Sequence, residues 1–407
     1  MKVAIVHDWF TARGGAELCV EQFLHLYPQA DLFSLVDFLP EEQRALLGGR
    51  KVHTSFIQKL PFVRKHYRSY LALMPLAVEQ FDLSSYDLVI STSSAVAKGV
   101  ITGPDQVHVS YVFSPIRYAW DLQHQYLRES GTTTGPKSWI ARLILHYIRL
   151  WDVRTAPGVD HFIGISHFIA RRIRKTYGRD AAVIYPPVDI DRFTISARPR
   201  QDYYVTSSRM VPYKHIPTIV SAFAAMPDRE LIVIGDGPDM DKVRKCAGSN
   251  VTIMGRQPDE VLVDKLQHAK AFLFAAEEDF GIAPLEAQAC GTPVVAFGKG
   301  AALETISDGR QYPPTGIFFD AQTPEAIGKA VERLDAVLDT ISPAQCRANA
   351  ERFSVQRFQD EAKKYFSNIL RDSEFHFDDR SGVDNVAGQV TIRDDVPVEA
   401  VPAFSTG

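Results

Sequence analysis

The chain has 407 residues, 45% of them hydrophobic and 23% charged, which is enough to bury the cores of two or three domains. Its formal net charge of −4 argues against a basic nucleic-acid-binding surface. The four cysteines are scattered and have no histidine cluster beside them, which argues against a disulfide framework and a zinc site. The first apolar run is too short for a signal peptide and no run is long enough to span a membrane, so we expect a cytoplasmic protein.

The first half of the sequence alternates short apolar runs with helical stretches. Residues 2–7 (KVAIVH) predict a buried parallel strand, and the stretch AELCVEQFLHLY that follows has the apolar spacing of a helix. This alternation predicts a doubly wound α/β sheet. Further strands are predicted at 31–36, 87–91, 107–113, 161–165 and 182–185.

Two prolines in YPPVDIDRF (185–193) interrupt this pattern, and a second alternation then begins. Two such sheets facing each other bind ligands in the cleft at the carboxyl ends of their strands. The strands of the second half are predicted at 202–207, 230–235, 250–255, 270–275 and 292–297. We predict Rossmann-like domains over 1–190 and 191–353, a closing amphipathic helix over 354–372, and a disordered tail over 373–407.

The stretch EEDFGIAPLEAQACGTPVV (277–295) places two carboxylates, Glu278 and Glu286, eight positions apart. Gly281 allows a tight turn and Pro284 suits the first turn of a helix, in which we also expect Glu286. The amides at the start of this helix lack partners within the helix and would form an anion site. These amides belong to Gly281, Ile282 and Ala283.

The two carboxylates could accept hydrogen bonds from a sugar at Glu278 and from the two hydroxyls of a ribose at Glu286. The alternative is a solvated loop acid and a carboxylate that complements a helix dipole. Arg209 and Lys214, in SSRMVPYKH, follow another predicted strand at the same edge. Together they could neutralise a diphosphate, although either alone is typical of a solvated loop.

Two glycine-rich stretches follow predicted strands. Gly14 and Gly15 in ARGGAE (12–17) lie where a backbone can approach a phosphate closely, although a simple tight turn has the same pattern. GDGPDM (235–240) lacks the third glycine and the acidic partner of a dinucleotide-binding fingerprint. The sequence therefore argues against a dehydrogenase.

Six stretches resemble, in order, the motifs of retaining glycosyltransferase family 4, and within it those of bacterial polysaccharide and O-antigen mannosyltransferases. They are HDWFTARGGAE, YDLVISTSSAVAKGV, FSPIRYAWD, ISHFIARRIRKTYGRDAAVIYPPVD, SSRMVPYKH and EEDFGIAPLEAQACGTPVVAFGKG, which together span residues 7 to 300. The resemblance implies the two-domain GT-B fold and transfer of a hexosyl group, with mannose from GDP-mannose favoured. It implies a glycan or lipid-linked acceptor in cell-surface polysaccharide synthesis, no metal ion and no other cofactor.

The resemblance also implies a role for each matched position. The residues expected to stabilise the reacting diphosphate and hold the donor sugar are Arg209, Lys214 and Glu278. Those expected to bind the rest of the donor are Gly14, Gly15, Arg256, Gly281, Ile282, Ala283 and Glu286. Those expected in the acceptor or sugar pocket are Asp8, Trp9, Phe113 and Arg117.

Phe113 departs from the family pattern, because relatives read Y-x-H-[ST]-P-x-R-Y where this chain reads YVFSPIRY. The resemblance implies that the missing histidine would contact the 6-hydroxyl of the donor sugar. A buried hydroxyl left unpaired costs about 1–3 kcal/mol, so we hypothesise a 6-deoxy or otherwise modified donor. The alternative is a packing substitution, with His108, His7 or Arg117 supplying the contact.

The stretch QKLPFVRKHYRSYLALMPLAVEQF (58–81) mixes basic and apolar residues. Such a segment can lie on the anionic inner surface of a membrane, which would suit a lipid-linked acceptor, although an ordinary half-buried helix fits as well.

Three alternatives to the favoured function remain open. They are a transferase using a UDP sugar, a nucleotide-sugar epimerase on the same fold, and a non-catalytic paralogue that only binds nucleotide sugars.

Overall fold

The computed structural model describes the backbone of residues 1–381 and the side chains of residues 1–371. The chain divides into two compact units at Tyr365, and both sheets belong to the first unit. The second unit is described only where it continues the last helix, as far as Ser381. Most of the tail predicted to be disordered, residues 382–407, lies outside the described residues.

The first sheet has seven parallel strands in the order β3-β2-β1-β4-β5-β6-β7. Its central strands are buried along their whole length, which is why they read as apolar runs in the sequence. The strands are β1 (Val3–His7), β2 (Asp31–Ser34), β3 (Val52–Thr54), β4 (Leu88–Ser93), β5 (Val107–Val112), β6 (His161–Gly164) and β7 (Ala181–Val183).

The second sheet has six parallel strands in the equivalent order β10-β9-β8-β11-β12-β13. Alternate residues of its strands enter two separate cores, Leu273 one and Phe272 with Phe274 the other, so both faces are covered. The strands are β8 (Tyr203–Ser207), β9 (Glu230–Ile234), β10 (Val251–Gly255), β11 (Phe272–Phe274), β12 (Val294–Phe297) and β13 (Gly316–Phe319).

Helices connect the strands and cover the sheets. The α-helices are α1 (Gly15–Leu26), α2 (Val63–His66), α3 (Met74–Glu79), α4 (Gln123–Glu129), α5 (Pro136–Arg154), α6 (His167–Tyr177), α7 (Ile216–Ala224), α8 (Met240–Cys246), α9 (Asp259–His268), α10 (Ile282–Ala289), α11 (Ala302–Thr305), α12 (Pro324–Asp335), α13 (Pro343–Glu351) and α14 (Val355–Ser381). Short 3-10 helices occur at 41–47, 56–59, 67–73, 97–99, 156–158, 212–214 and 338–340. Within residues 1–381, no helix is both long and apolar enough to cross a membrane.

These sheets confirm the predicted α/β fold with two doubly wound parallel sheets. The sequence pattern did not predict two strands, β3 and β13, each of which lies at an edge of its sheet. They are short, and β3 exposes His53 and Thr54, so neither has the long apolar run of a central strand. The predicted domain boundary at 190 lies between the end of β7 and the start of β8.

Two helical predictions differ from the structure. Residues 58–81 do not form one helix, because Pro61 and Pro75 interrupt the chain and Phe62 adopts a left-handed φ of 55°. The closing helix predicted over 354–372 begins at Val355 and continues to Ser381. Its first turns return to the first half of the chain, where Phe358 packs against Phe23 with ring centroids 5.5 Å apart.

Candidate active site

The strand order reverses between β8 and β11, and a sheet of this kind is expected to bind ligands in a crevice between the loops that follow two such strands. The loop after β8 carries Arg209 and Lys214, and the loop after β11 carries Glu278. Lys214 Nζ forms an ion pair with Glu278 Oε1. A base and an acid separated by 64 positions in the sequence are therefore in contact at this edge.

The ammonium of Lys214 lies over two aromatic rings, 5.5 Å from the centroid of Tyr213 and 5.7 Å from that of Phe274. Burial, together with the nearby charge of Arg117, lowers the pKa of Lys214 to about 8. The carboxylate of Glu278 opposes both effects by attracting the charged form. Lys214 is thus a cation that can lose its proton within a few pH units of neutrality.

Glycines support both loops at positions where a side chain would collide with the backbone. Gly235 and Gly237 have φ values of 126° and 156°, and a Cβ at either would strike the backbone of residues 208–210. A Cβ at Gly300, whose φ is 67°, would lie 2.5 Å from the carbonyl oxygen of Glu278. The GDGP stretch that is not a dinucleotide fingerprint therefore packs against the loop of Arg209.

Helix α10 begins beside the Lys214–Glu278 pair. Gly281 precedes it with a left-handed φ of 83°, and within residues 1–371 the amides of Ile282 and Ala283 have no hydrogen-bond acceptor. A Cβ at Gly15 would lie 2.5 Å from Ile282 Cδ1, so the glycine loop of the first half touches the start of α10. Glu286 is the fifth residue of α10 and not in its first turn, because the helix begins at Ile282.

The carboxylate of Glu286 is half-buried and has no hydrogen bond or ion pair to any side chain or amide that the structure describes. Burial raises its pKa to about 7; the charge of Arg192 opposes this, and Asp259 and Asp189 reinforce it. Arg192 is itself paired with Asp259 at 2.6 Å. Glu278 and Glu286 therefore face different neighbours, one the lysine and the other the start of α9.

Two arginines of this edge are exposed. In the described part of the chain, the guanidinium groups of Arg209 and Arg256 have no hydrogen-bonded or ion-paired partner. Arg256 follows Gly255, which has a φ of 69° and accepts a hydrogen bond from the amide of Gly235 at 2.8 Å. Both guanidinium groups are free to meet an anion.

A cavity of about 650 Å³ lies beside this crevice and is lined from both halves of the chain. Trp9, Phe113 and Arg117 line it from the first half, and Tyr213 from the second. Three of the four residues predicted for the acceptor or sugar pocket therefore share one cavity. The rest of the lining is Arg68, Leu71, Met74, Ser94, Ser114, Tyr118 and Tyr126.

The chain is similar to known proteins in sequence and in fold. Residues 188–353 match the family described as Glycosyl transferases group 1. The chain is similar over 91% of its length to sucrose-phosphate synthase from Thermosynechococcus elongatus, with a TM-score of 0.68, 16% identity and 99% of that chain covered. It is also similar over 90% of its length to HepE from Anabaena, solved in complex with UDP-glucose, with a TM-score of 0.63, 19% identity and 100% coverage of that chain.

The chain is a GT-B protein like those of glycosyltransferase family 4. It is 30% identical over 211 residues to a GDP-mannose-dependent monoacylated alpha-(1-6)-phosphatidylinositol monomannoside mannosyltransferase of Corynebacterium glutamicum. That alignment covers 44% of this chain and 53% of the relative, so the chain spans about half the length of the curated relatives it matches. The predicted resemblance to family 4 is confirmed.

Asp8 does not join the others in the pocket of this GT-B protein. It is buried, and its carboxylate accepts five hydrogen bonds, from the amides of Ser94, Ala95, Val96 and Ala97 and from the hydroxyl of Ser94. These bonds use both carboxylate oxygens fully and hold the loop after β4. An aspartate at the end of a strand has the same sequence pattern in either role, so the sequence alone could not distinguish them.

The histidines offered as replacements for the missing family histidine differ in position. His108 lies near the start of β5, where burial lowers its pKa to about 4 and its ring bonds Ser91 and the carbonyl of Gly158 at 2.9 and 3.0 Å. It is at the wrong end of the strand to reach the GT-B crevice. His7 is close to Phe113, with ring centroids 6.5 Å apart, and bonds Thr92 at 2.8 Å.

The sequence pattern did not predict the contacts that join the first half of this GT-B protein to the second. Asp279, next to Glu278, pairs with Arg117 and with Arg172, the latter at 3.0 Å. Burial raises the pKa of Asp279, and the two guanidinium groups oppose that shift. Ser166 Oγ also donates to the carbonyl of Asp279 at 2.7 Å.

A second acid, Glu304, accepts hydrogen bonds at 2.8 Å from the amides of His167 and Phe168 at the start of α6. Asp279 and the residues of α6 stand in motifs that the sequence reading had singled out, but no spacing rule relates them to each other. Among the described residues, no three His, Cys, Asp or Glu side chains are grouped so that they could hold a metal ion.

Proposed function

We propose that this protein is a retaining glycosyltransferase that moves a hexosyl group from a nucleotide sugar, with GDP-mannose favoured, to a glycan or lipid-linked acceptor. The observation that carries the proposal is the Lys214–Glu278 pair beside the open amides of α10. The choice of GDP-mannose as donor is supported by the Corynebacterium glutamicum relative, which is described as GDP-mannose-dependent. HepE, which shares this fold, was solved in complex with UDP-glucose, and this supports a nucleotide sugar as the donor.

The crevice has the charges that departure of a diphosphate requires. As the anomeric C–O bond breaks, negative charge grows on the diphosphate oxygens, and Lys214, Arg209 and the amides of α10 can stabilise it. Removing one such preorganised donor typically costs about 2.7–4 kcal/mol of transition-state stabilisation. Glu278 is positioned to hold a sugar hydroxyl once the diphosphate takes over its lysine, and Glu286 can accept the two hydroxyls of a ribose.

The acceptor is proposed to bind in the cavity lined by Trp9 and Phe113, with its hydroxyl approaching the anomeric carbon from the face that the diphosphate leaves. The acceptor proton then passes to an oxygen of the departing phosphate, and the new C–O bond keeps the configuration of the old one. This route uses no protein base. It also uses no metal ion, since the positive field comes from Lys214, Arg209 and the helix amides.

The biological setting proposed is synthesis of a cell-surface polysaccharide such as an O-antigen, at the cytoplasmic face of the membrane. The basic residues of 58–81 are proposed to help the protein reach that surface. The donor hypothesis for Phe113 belongs here too. A phenyl ring beside the sugar would favour a hexose without a 6-hydroxyl, and GDP-linked deoxy sugars are therefore included among the donors to be tested.

The deciding experiment measures release of GDP or UDP from a panel of nucleotide sugars, with and without EDTA. We expect GDP release from GDP-mannose that EDTA does not reduce, and an α-linked product by NMR from the α-linked donor. Binding of nucleotide sugars without any turnover would instead identify a non-catalytic paralogue. A β-linked product would contradict the retaining mechanism, and an epimerised free sugar nucleotide would indicate the epimerase alternative.

A further inference from the structure

Helix α5 carries an apolar face that the rest of the described chain leaves uncovered. Five large side chains on it are between 44% and 77% exposed: Trp139, Ile140, Leu143, Tyr147 and Leu150. Trp139, Leu143, Tyr147 and Leu150 follow one another at intervals of four, four and three residues, which places them on one side of the helix. A contiguous exposed apolar surface of this kind marks an interaction site.

The segment of short helices at 56–73 adds a further exposed aromatic side chain. Phe62 is 84% exposed although its backbone has the left-handed φ of 55°, which is costly for a bulky side chain. The phenyl ring therefore lies mostly in water despite the backbone conformation that presents it. Arg64 and Lys65, which are both exposed, follow directly.

These two regions lie side by side. Leu71 packs in one apolar cluster with Leu145 and Ile148 of α5. A cleft of about 290 Å³ separates the rest of the two segments, with Arg68 on one wall and Ile144 on the other. We call the exposed side of α5 together with residues 56–76 the docking face.

The charge of the docking face is almost entirely positive. Residues 56–76 and 136–154 contain eight lysines and arginines and one acid, Asp152. That acid is buried in an ion pair with Lys98 at 2.9 Å and contributes no surface charge. One exposed base, Arg154, is paired from outside these segments, by Glu79 at 2.8 Å. Apolar side chains bordered by bases that, Arg154 apart, have no acidic partner among residues 1–371 match an anionic lipid surface.

We propose that the docking face binds the surface of an anionic lipid bilayer, with the apolar side chains of α5 and Phe62 inserted among the headgroups. A second copy of the chain is a poorer partner, because pairing this face with itself would bring like charges together. Each base near an anionic membrane contributes about 1 kcal/mol of attraction.

The docking face also leads to the candidate active site. Arg68, Leu71, Tyr118 and Tyr126 line both the 290 Å³ cleft and the 650 Å³ cavity. A molecule with a long apolar chain could therefore lie along the cleft while its polar head enters the cavity. Resting on the proposed function, this assigns the acceptor to the class of amphiphiles whose apolar chain stays in the bilayer.

The test is sedimentation of the full chain with vesicles, measured without donor or acceptor. Wild type should bind vesicles of phosphatidylcholine with 30% phosphatidylglycerol and bind pure phosphatidylcholine far less, with binding that weakens as salt is raised. The double variant Ile140→Glu with Leu143→Glu should lower the partition coefficient by more than about tenfold. Ile101→Glu is the matched control, because Ile101 and Ile140 are 63% and 60% exposed and Ile101 lies outside the docking face.

Binding of the double variant equal to wild type would overturn the proposal. So would a wild-type dimer that the double variant dissociates, or vesicle binding that appears only after residues 382–407 are removed, since either identifies another occupant of the face. Unchanged melting temperature shows that the variant is folded. Donor hydrolysis in the absence of vesicles is measured in parallel: its absence in wild type contradicts the proposed function and leaves the vesicle result standing on its own.

Discussion

The two sheets have equivalent strand orders but different chemistry at their carboxyl edges. In the first half two polar residues at this edge already have partners, Asp8 with its five hydrogen bonds and His7 with Thr92. In the second half Arg209, Arg256 and Glu286 have no side-chain partner within residues 1–371. The named side chains at the first edge have their partners within the protein, whereas those at the second edge would gain partners only from a ligand.

This difference shows how one architecture can divide two tasks. Satisfied polar groups make the first edge rigid and leave aromatic walls to shape a cavity. Unpaired charges make the second edge costly to fold and ready for a charged ligand, which is where perturbed pKa values are expected. The family match follows the same division, since it covers residues 188–353 and not the first sheet.

The largest effect should come from removing the charge at the centre of the second edge. Lys214→Ala should lower turnover of the donor about 100-fold or more, because the diphosphate loses a preorganised cation. Stopped assays of nucleotide release measure it. The exposed Lys329→Ala on α12 is the control, and a Lys214→Ala rate near that of the control would remove the lysine from the proposed mechanism.

The pH dependence of turnover is a second test of the positive charge on Lys214. Its pKa of about 8 means that the free protein loses this positive charge as pH rises through 8. We expect kcat/KM to fall above that pH in wild type and the fall to move to higher pH in Lys214→Arg, since arginine stays protonated. An identical profile in both proteins would assign the ionisation to another group.

The next largest effect should appear in the first half as a loss of stability. Asp8→Asn places an amide donor against backbone donors and should lower the free energy of unfolding by about 2–5 kcal/mol. Denaturant unfolding measures it, with the exposed Asp105→Asn as control. Nucleotide-sugar affinity of the folded variant should stay near wild type. A large loss of affinity without loss of stability would return Asp8 to the ligand pocket.

Glu286→Gln should raise stability and lower donor affinity, whereas Asp8→Asn should lower stability and leave affinity near wild type. The pKa of Glu286 is raised from an ordinary 4.5 to about 7, so the folded state binds this proton more tightly and stability falls as pH rises through that window. The variant should therefore be more stable than wild type at pH 8 by about 1–3 kcal/mol, and little changed at pH 4.5. Its donor affinity should fall at pH 8. Equal stability at both pH values would mean that the carboxylate is better solvated than the structure indicates.

The smallest effect should come from Phe113. Phe113→His restores a hydrogen-bond donor to the cavity wall and should raise the use of GDP-mannose relative to a GDP-linked 6-deoxy hexose by about fivefold, or about 1 kcal/mol. Phe113→Leu, which restores no hydrogen bond, is the matched control. A preference that does not change between wild type and Phe113→His would favour the packing explanation.

Buried strands and the positions of Lys214 and Glu278 were predictable from sequence because each depends on local pattern. A central parallel strand is apolar throughout, and a charged residue directly after it must lie at the carboxyl edge. The edge strands β3 and β13 carry weaker patterns and were missed. The five bonds of Asp8 and the pairing of Asp279 with Arg172 depend on which loops meet in space, which spacing along the chain does not encode.

The neighbouring positions of Glu278 and Asp279 link two events mechanically. Asp279 clasps Arg117 and Arg172 of the first half, while Glu278, one peptide bond away, holds Lys214. Any swing that parts the two sheets must pull on the same short loop that sets the lysine. If the proposed function holds, opening between the two sheets would release the product and displace the Lys214 ammonium in a single movement.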